Sequence, residues 1–332
     1  MNVKFHILII GSLFLFGCTK SEVADSNDST TPISFETYIG RDVHTKAPSY
    51  GNDNLPASVG VYGFYSGAKT WTSTDTPNLW ENLTLTNNGG TWSYKPEEVR
   101  YWTNTKDNYT FLSYAPYATG TNGLVASAGA NPTITYTVPT DLSKQIDLLY
   151  SNNNKNIHKP NNSTSVTLNY EHALSRLTVK ASAETAENAY TFHIKSISIT
   201  GDFYTKGDFN LATRTWNNLS DEEVTYSFFT SPTTPGAALT SELVDYAGTS
   251  NYLMIIPAGF SDSNATLTVE YTIKYAGLTK AKTKEIPIST NFIQGSAYVI
   301  DLNFELNDEI TFNVTDETSL SDWQNDDITI QS

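Results

Sequence analysis

In ATLTVEYTIKY, residues 265–275, every second side chain from Leu267 is apolar. Leu267, Val269, Tyr271, Ile273 and Tyr275 share one face, and Thr268, Glu270, Thr272 and Lys274 share the other. A period of two demands a strand with one buried and one wet face, because helical geometry would scatter the same residues around an axis. AYVIDLNFEL repeats it with Tyr298, Ile300, Leu302, Phe304 and Leu306. Shorter runs of the same kind, among them SVGVYGFYSG, NLTLT, NYTFLSYAPY, PTITYTVPT and DLLYS, follow closely along the chain. Turn signals separate them: Asn88-Gly89 and Ala276-Gly277 predict hairpin turns, since glycine accepts a positive φ without strain. No long segment carries a 3.6-residue period, so the expected fold class is all-β. In YTFHIKSISIT the phase breaks, because Tyr190, Phe192 and Ile194 are followed by Ile197 and Ile199; one extra residue in a β-bulge restores it.

Many short strands over 332 residues predict two β-sandwich domains in tandem. SVTLNYEHALSRLTVKA is too long for one typical strand, so it is expected to leave one sandwich near His172 and enter the next near Leu174. This sets the expected domains at 33–172 and 173–332.

The chain begins MNVKFHILIIGSLFLFGCTKSE, with Lys4 and His6 ahead of an apolar run that ends at Phe16, which reads as a secretory signal over 1–17. Nothing later approaches the ~20 apolar residues of a membrane span. Cys18 is the only cysteine, so it has no intramolecular disulfide partner. Placed directly after LFG, it resembles the lipidated cysteine of a bacterial lipobox, although Phe16 stands where a small residue is usual. Residues 18–32 are polar and without apolar period, a flexible tether.

Folded chain begins at PISFETYIGRDVHTKAP. Ile33, Phe35 and Ile39 fall on one face of a strand, and Ser34, Glu36 and Tyr38 on the other. A polar run carrying Arg41 and Lys46 follows, closed by Pro48 and the turn-like SYGNDN, where a protease could reach the backbone. The question is whether this strand is permanent.

Several chemistries find no support. A net charge of −15 without a Lys/Arg cluster repels a phosphate backbone, which argues against nucleic acid. His6, His44, His158, His172 and His193 are scattered, with no pair at metal-ligand spacing, and no nucleophile elbow or phosphate-binding glycine loop occurs. Asp326 and Asp327 read as solvated charge in a polar loop, and His172 as a hydrogen-bonded packing residue. Neither catalytic residue, metal nor cofactor is expected. Trp71, Trp80, Trp92, Tyr94, Tyr101 and Trp102 crowd the first half. An exposed pair could stack on sugar rings, giving the alternative of a monomeric glycan- or host-binding surface lipoprotein; the bland reading is that they fill a core.

Together, LFGCTK, ISFETYIGR followed by TKA, SVGVYGFYSG, DLLYS, LNYEHALSRLTV and ITFNVTDETSLSDWQNDDITI resemble the fimbrillin family, the type V pilins and related surface lipoproteins of Bacteroidetes. The resemblance runs over nearly the whole chain. It implies two transthyretin-like (Greek-key) β-sandwiches, export as an outer-membrane lipoprotein, and assembly with other pilin subunits into an adhesive fimbria. It further implies an Arg- or Lys-specific protease that removes the first strand, and a C-terminal strand of the neighbouring subunit that fills the groove. Thr45-Lys46-Ala47 occupies the place where Thr-Arg-Ala is commoner, and Arg41 lies upstream, so the scissile bond stays open between Arg41 and Lys46. The donor is expected within 309–332. There Ile310, Phe312 and Val314 share a face like that of Ile33, Phe35 and Ile39, with Ile328 and Ile330 beyond a loop containing Trp323.

Overall fold

A computed structural model describes residues 30–39, 56–127, 129–161, 165–184, 190–246, 252–257, 265–305 and 310–316. Among them the chain is all-β, with two single-turn 3₁₀ segments and no α-helix. The first of three sheets runs, in spatial order, β1 (Ser34–Ile39), β9 (Ser165–His172), β8 (Leu149–Ile157), β5 (Asn108–Ala115), β2 (Ser58–Gly67), β3 (Trp80–Asn88) and β4 (Thr91–Ser93). Its two end strands, β1 and β4, approach each other, so the sheet curls back around its contents.

The second sheet runs β14 (Val244–Asp245), β10 (Ser175–Ala183), β18 (Ala297–Phe304) and β19 (Ile310–Asp316), with β15 (Leu253–Ile255) also on β10. The third runs β17 (Leu278–Ile288), β16 (Ala265–Tyr275), β11 (Thr191–Asn210), β7 (Thr133–Thr137) and β6 (Leu124–Ala126). On the other side of β11 lie β12 (Thr215–Thr230) and β13 (Ala237–Ala238).

Alternation explains the packing. Leu267, Val269, Tyr271 and Ile273 of β16 are buried, as are Tyr298, Ile300, Leu302 and Phe304 of β18. The faces meet where Phe304 packs against Phe192, at 5.5 Å between ring centroids, and Tyr271, at 5.1 Å. The expected bulge is present: pairing of β11 with β16 slips between Ile194 and Ser196, so Phe192, Ile194, Ile197 and Ile199 all point inward. Ala276 and Gly277, both at positive φ, make the two-residue turn between Tyr275 and Leu278. The β3–β4 turn is Gly89-Gly90, one residue later than Asn88-Gly89, because Asn88 still pairs with Thr91.

Two pairings are parallel, β1 with β9 and β10 with β18, although alternation alone suggests antiparallel neighbours. More than a hundred residues separate the partners in each case, so no hairpin constrains their direction. β9 and β10 belong to different sheets, with Ala173 and Leu174 buried between them. β6 and β7 cross that division and complete the sheet of β11.

Two buried clusters result. One lies inside the curl of the first sheet, and the other joins that sheet's outer face to the remaining two sheets. His172, 2 % exposed, places Nδ1 2.9 Å from Asp147 Oδ1 at this junction, the packing role read from the sequence.

Candidate functional site

The small core inside the first sheet is closed by β1. Among the described residues its only strand partner is β9, in parallel register from Ser34 opposite Ser165 to Ile39 opposite Tyr170. On its other side, among the described residues, its start is held: the Ile33 amide donates to Arg100 O at 2.9 Å, and the Trp102 amide donates to Thr31 O at 3.0 Å. The Thr167 hydroxyl donates to Glu36 Oε1 at 2.5 Å, and the hydroxyls of Ser34 and Ser165 meet at 3.0 Å. β1 is therefore an edge strand tied along one side.

Its inward side chains hold it more firmly. Ile33 is fully buried and Phe35 is 5 % exposed. The Phe35 ring sits in an aromatic socket, edge-on to Trp80 at 5.7 Å, Tyr94 at 6.4 Å and Phe111 at 5.4 Å. The Tyr94 hydroxyl donates to the Ile33 carbonyl, and burial raises its pKa above the ordinary value, so it stays protonated as a donor. Burying each of these two side chains stabilises by ~1.5–3 kcal/mol, and edge-to-face aromatic pairs add ~0.5–1.5 kcal/mol. Removing β1 would leave a socket of four aromatic rings, with Trp102 behind Phe111, beside the unpaired backbone edge of β9.

The structure brings Ile33 and Phe35 together as read, and Ile39 takes its place at the end of β1. Ile310, Phe312 and Val314 lie in β19, which pairs antiparallel with β18 of its own chain, Leu302 opposite Phe312. Cys18, Arg41, Lys46, Ile328 and Ile330 lie outside the described residues.

The aromatics weighed for sugar stacking are core. Trp102 is fully buried, and Trp80, Trp71 and Trp92 are 3 %, 8 % and 9 % exposed. Tyr101 alone of that set stands out, half exposed beside Pro32. The role of Trp80, Tyr94 and Phe111 as a socket for Phe35 was not read from the sequence. The i, i+2 spacing of Trp92 and Tyr94 was the available signal, since it puts both on one face of a short strand. Among the described residues, no three His, Cys, Asp or Glu side chains group as metal ligands, and no helix is long and apolar enough to cross a membrane.

An all-β chain whose first strand plugs the edge of a curled sheet defines the structural class. The chain belongs to the fimbrillin-like family, whose model matches residues 45–323. It is similar to fimbrium subunit Fim1C of Phocaeicola vulgatus, at 23 % identity over 347 aligned residues covering 97 % of this chain and 86 % of that protein. The crystal structure of a fimbrial protein from Bacteroides vulgatus superposes with a TM-score of 0.72 at 19 % identity, covering 87 % of this chain and 99 % of that one. A solved structure from Bacteroides uniformis has a TM-score of 0.52 at 18 % identity, covering 87 % of this chain and 100 % of that one. At these identities, the structural likenesses speak for the fold.

Proposed function

We infer that this chain is a structural subunit of a cell-surface fimbria, joined to its neighbours by strand exchange once β1 has been removed. The observation that carries this reading is the position of β1: an edge strand with one strand neighbour among the described residues, which, with Ile33 just before it, fills an apolar socket through Ile33 and Phe35. A plug of this kind stabilises a monomer, and a second extended segment with matching alternation can replace it, because the main-chain bonds of β9 are indifferent to side-chain identity. Family membership and the fimbrial relatives support the setting.

In this reading the chain is anchored in the outer membrane through lipidated Cys18 and forms two tandem domains divided after His172, with β6 and β7 of the first reaching across to the sheet of β11. An Arg- or Lys-specific protease cuts after Arg41 or Lys46. The donor comes from the C-terminal region of another subunit, through Ile310, Phe312 and Val314 or through Ile328 and Ile330. β19 is already paired with β18, so donation of β19 requires that it detach first.

The test treats the precursor with an Arg- or Lys-specific protease and follows oligomers by gel. Cleavage between Gly40 and Pro48 followed by a ladder of oligomers is expected. Resistance there, or cleavage without oligomers, would make β1 a permanent part of the fold.

A further inference from the structure

The plug carries one residue that does not suit its place. Ser34 and Glu36 meet Ser165 and Thr167 on the outer face of β9, so the alternate positions of β1 turn inward. Ile33 and Phe35 are buried there, and Thr37 follows them on the same face, opposite the fully buried Leu168. The Thr37 hydroxyl oxygen is buried as well, and it has no hydrogen-bond partner among the described residues. A buried hydroxyl without a partner weakens the hold of the strand that brings it.

β19 repeats the plug without this fault. ITFNV, residues 310–314, aligns with ISFET, residues 33–37, position by position. Ile310 and Phe312 stand for Ile33 and Phe35. Thr311 has a hydroxyl like the one through which Ser34 meets Ser165 at 3.0 Å, and Asn313 has a side-chain oxygen where Glu36 accepts from Thr167 at 2.5 Å. Val314 has the shape of Thr37 and lacks its hydroxyl. The likeness ends at Thr315 and Asp316, which answer to Tyr38 and Ile39. Ile328 and Ile330, the other C-terminal candidates, offer no ring for the socket of Trp80, Tyr94 and Phe111.

We propose that residues 310–314 of a second copy replace residues 33–37 in the same direction and register beside β9, and that Val314 in place of Thr37 makes the donor the better occupant of the socket. The inference rests on the strand-exchange reading and names the donor, its register and the residue that biases the exchange. Phe312 enters the aromatic socket, and Thr311 comes opposite Ser165. Before cleavage the plug competes from within its own chain, at an effective concentration that offsets its poorer fit. After cleavage that advantage is gone, and fit decides. Thr37 is the specificity-determining residue: with it the plug closes the sheet and still yields to a neighbour.

The test mixes two variants of the full chain, one with Ser165→Cys and the other with Thr311→Cys, treats them with protease and oxidises them. In this reading Cys18 leaves with the removed segment. Expected is a disulfide between position 165 of one copy and position 311 of the other. In separate samples, Thr37→Val, which takes the buried hydroxyl out of the plug, should slow oligomer formation after protease treatment about tenfold. Thr37→Ser, which keeps a hydroxyl, should not slow it. Oligomers that form without the 165–311 disulfide, or at the wild-type rate in Thr37→Val, overturn this inference and leave strand exchange standing. A wild-type chain that is cleaved and gives no oligomer overturns both.

Discussion

Phe35 is the side chain on which the plug turns. Truncating it in Phe35→Ala removes its contacts with Trp80, Tyr94 and Phe111. By the usual cost of a buried aromatic, the precursor should lose about 3–5 kcal/mol, read from urea denaturation by tryptophan fluorescence. The already cleaved chain, which lacks residue 35, gives the reference for the N-terminal core without its plug. Tyr94→Phe should cost about 1 kcal/mol in the precursor, the worth of the hydrogen bond to the Ile33 carbonyl. The pH dependence follows from the raised Tyr94 pKa, caused first by burial. Neutral hydroxyl is favoured in the folded state, so its contribution is fully present below pH 10.0, the ordinary value, and is lost as pH rises through the folded pKa. The phenylalanine variant should therefore lose less stability than wild type over that alkaline range.

At the scale of elements, β2 shows how glycine builds the first sheet. A Cβ on Gly60 would lie 2.1 Å from Tyr114 Cε1, and one on Gly63 would lie 2.7 Å from Trp80 Cε3. Tyr114 is fully buried and donates to Asn82 Oδ1, so its ring has little freedom to retreat. Gly60→Ala should cost about 1–3 kcal/mol, measured by thermal melting of the precursor. The alternation of β16 and β18, the Ile194–Ser196 bulge and the passage from β9 to β10 were legible in the sequence, while the close approaches that require Gly60 and Gly63 were not. β12 was not: Asp221, Glu222 and Glu223 are exposed, and only Tyr226 and Phe228 of its sixteen residues are buried hydrophobics, so no apolar period announces it. Nor was the full length of β11, whose second half loses phase at irregularities around Lys206. The same limit applies to the socket. Alternation says which face of β1 is buried, while the rings that receive Phe35 come from strands brought together only by the order of the sheet.

Across the whole molecule, one plug and one C-terminal strand occupy opposite cores, and polymerisation in this account exchanges one for the other between neighbours. Deleting residues from Glu309 onward should abolish polymer after protease treatment and leave the N-terminal core folded; continued polymerisation would place the donor elsewhere. Replacing Cys18 by Ala should leave a precursor that no longer partitions with the outer membrane, checked by fractionation, and unchanged partitioning would reject the lipid anchor. The central claim, that β1 is made to be removed, meets its most direct test in the N-terminal sequence of this chain taken from purified fimbriae. The account predicts a chain that starts at Asp42 or Ala47, with Ile33 and Phe35 gone. Polymerised chain that still carries Ile33 to Ile39 would contradict it.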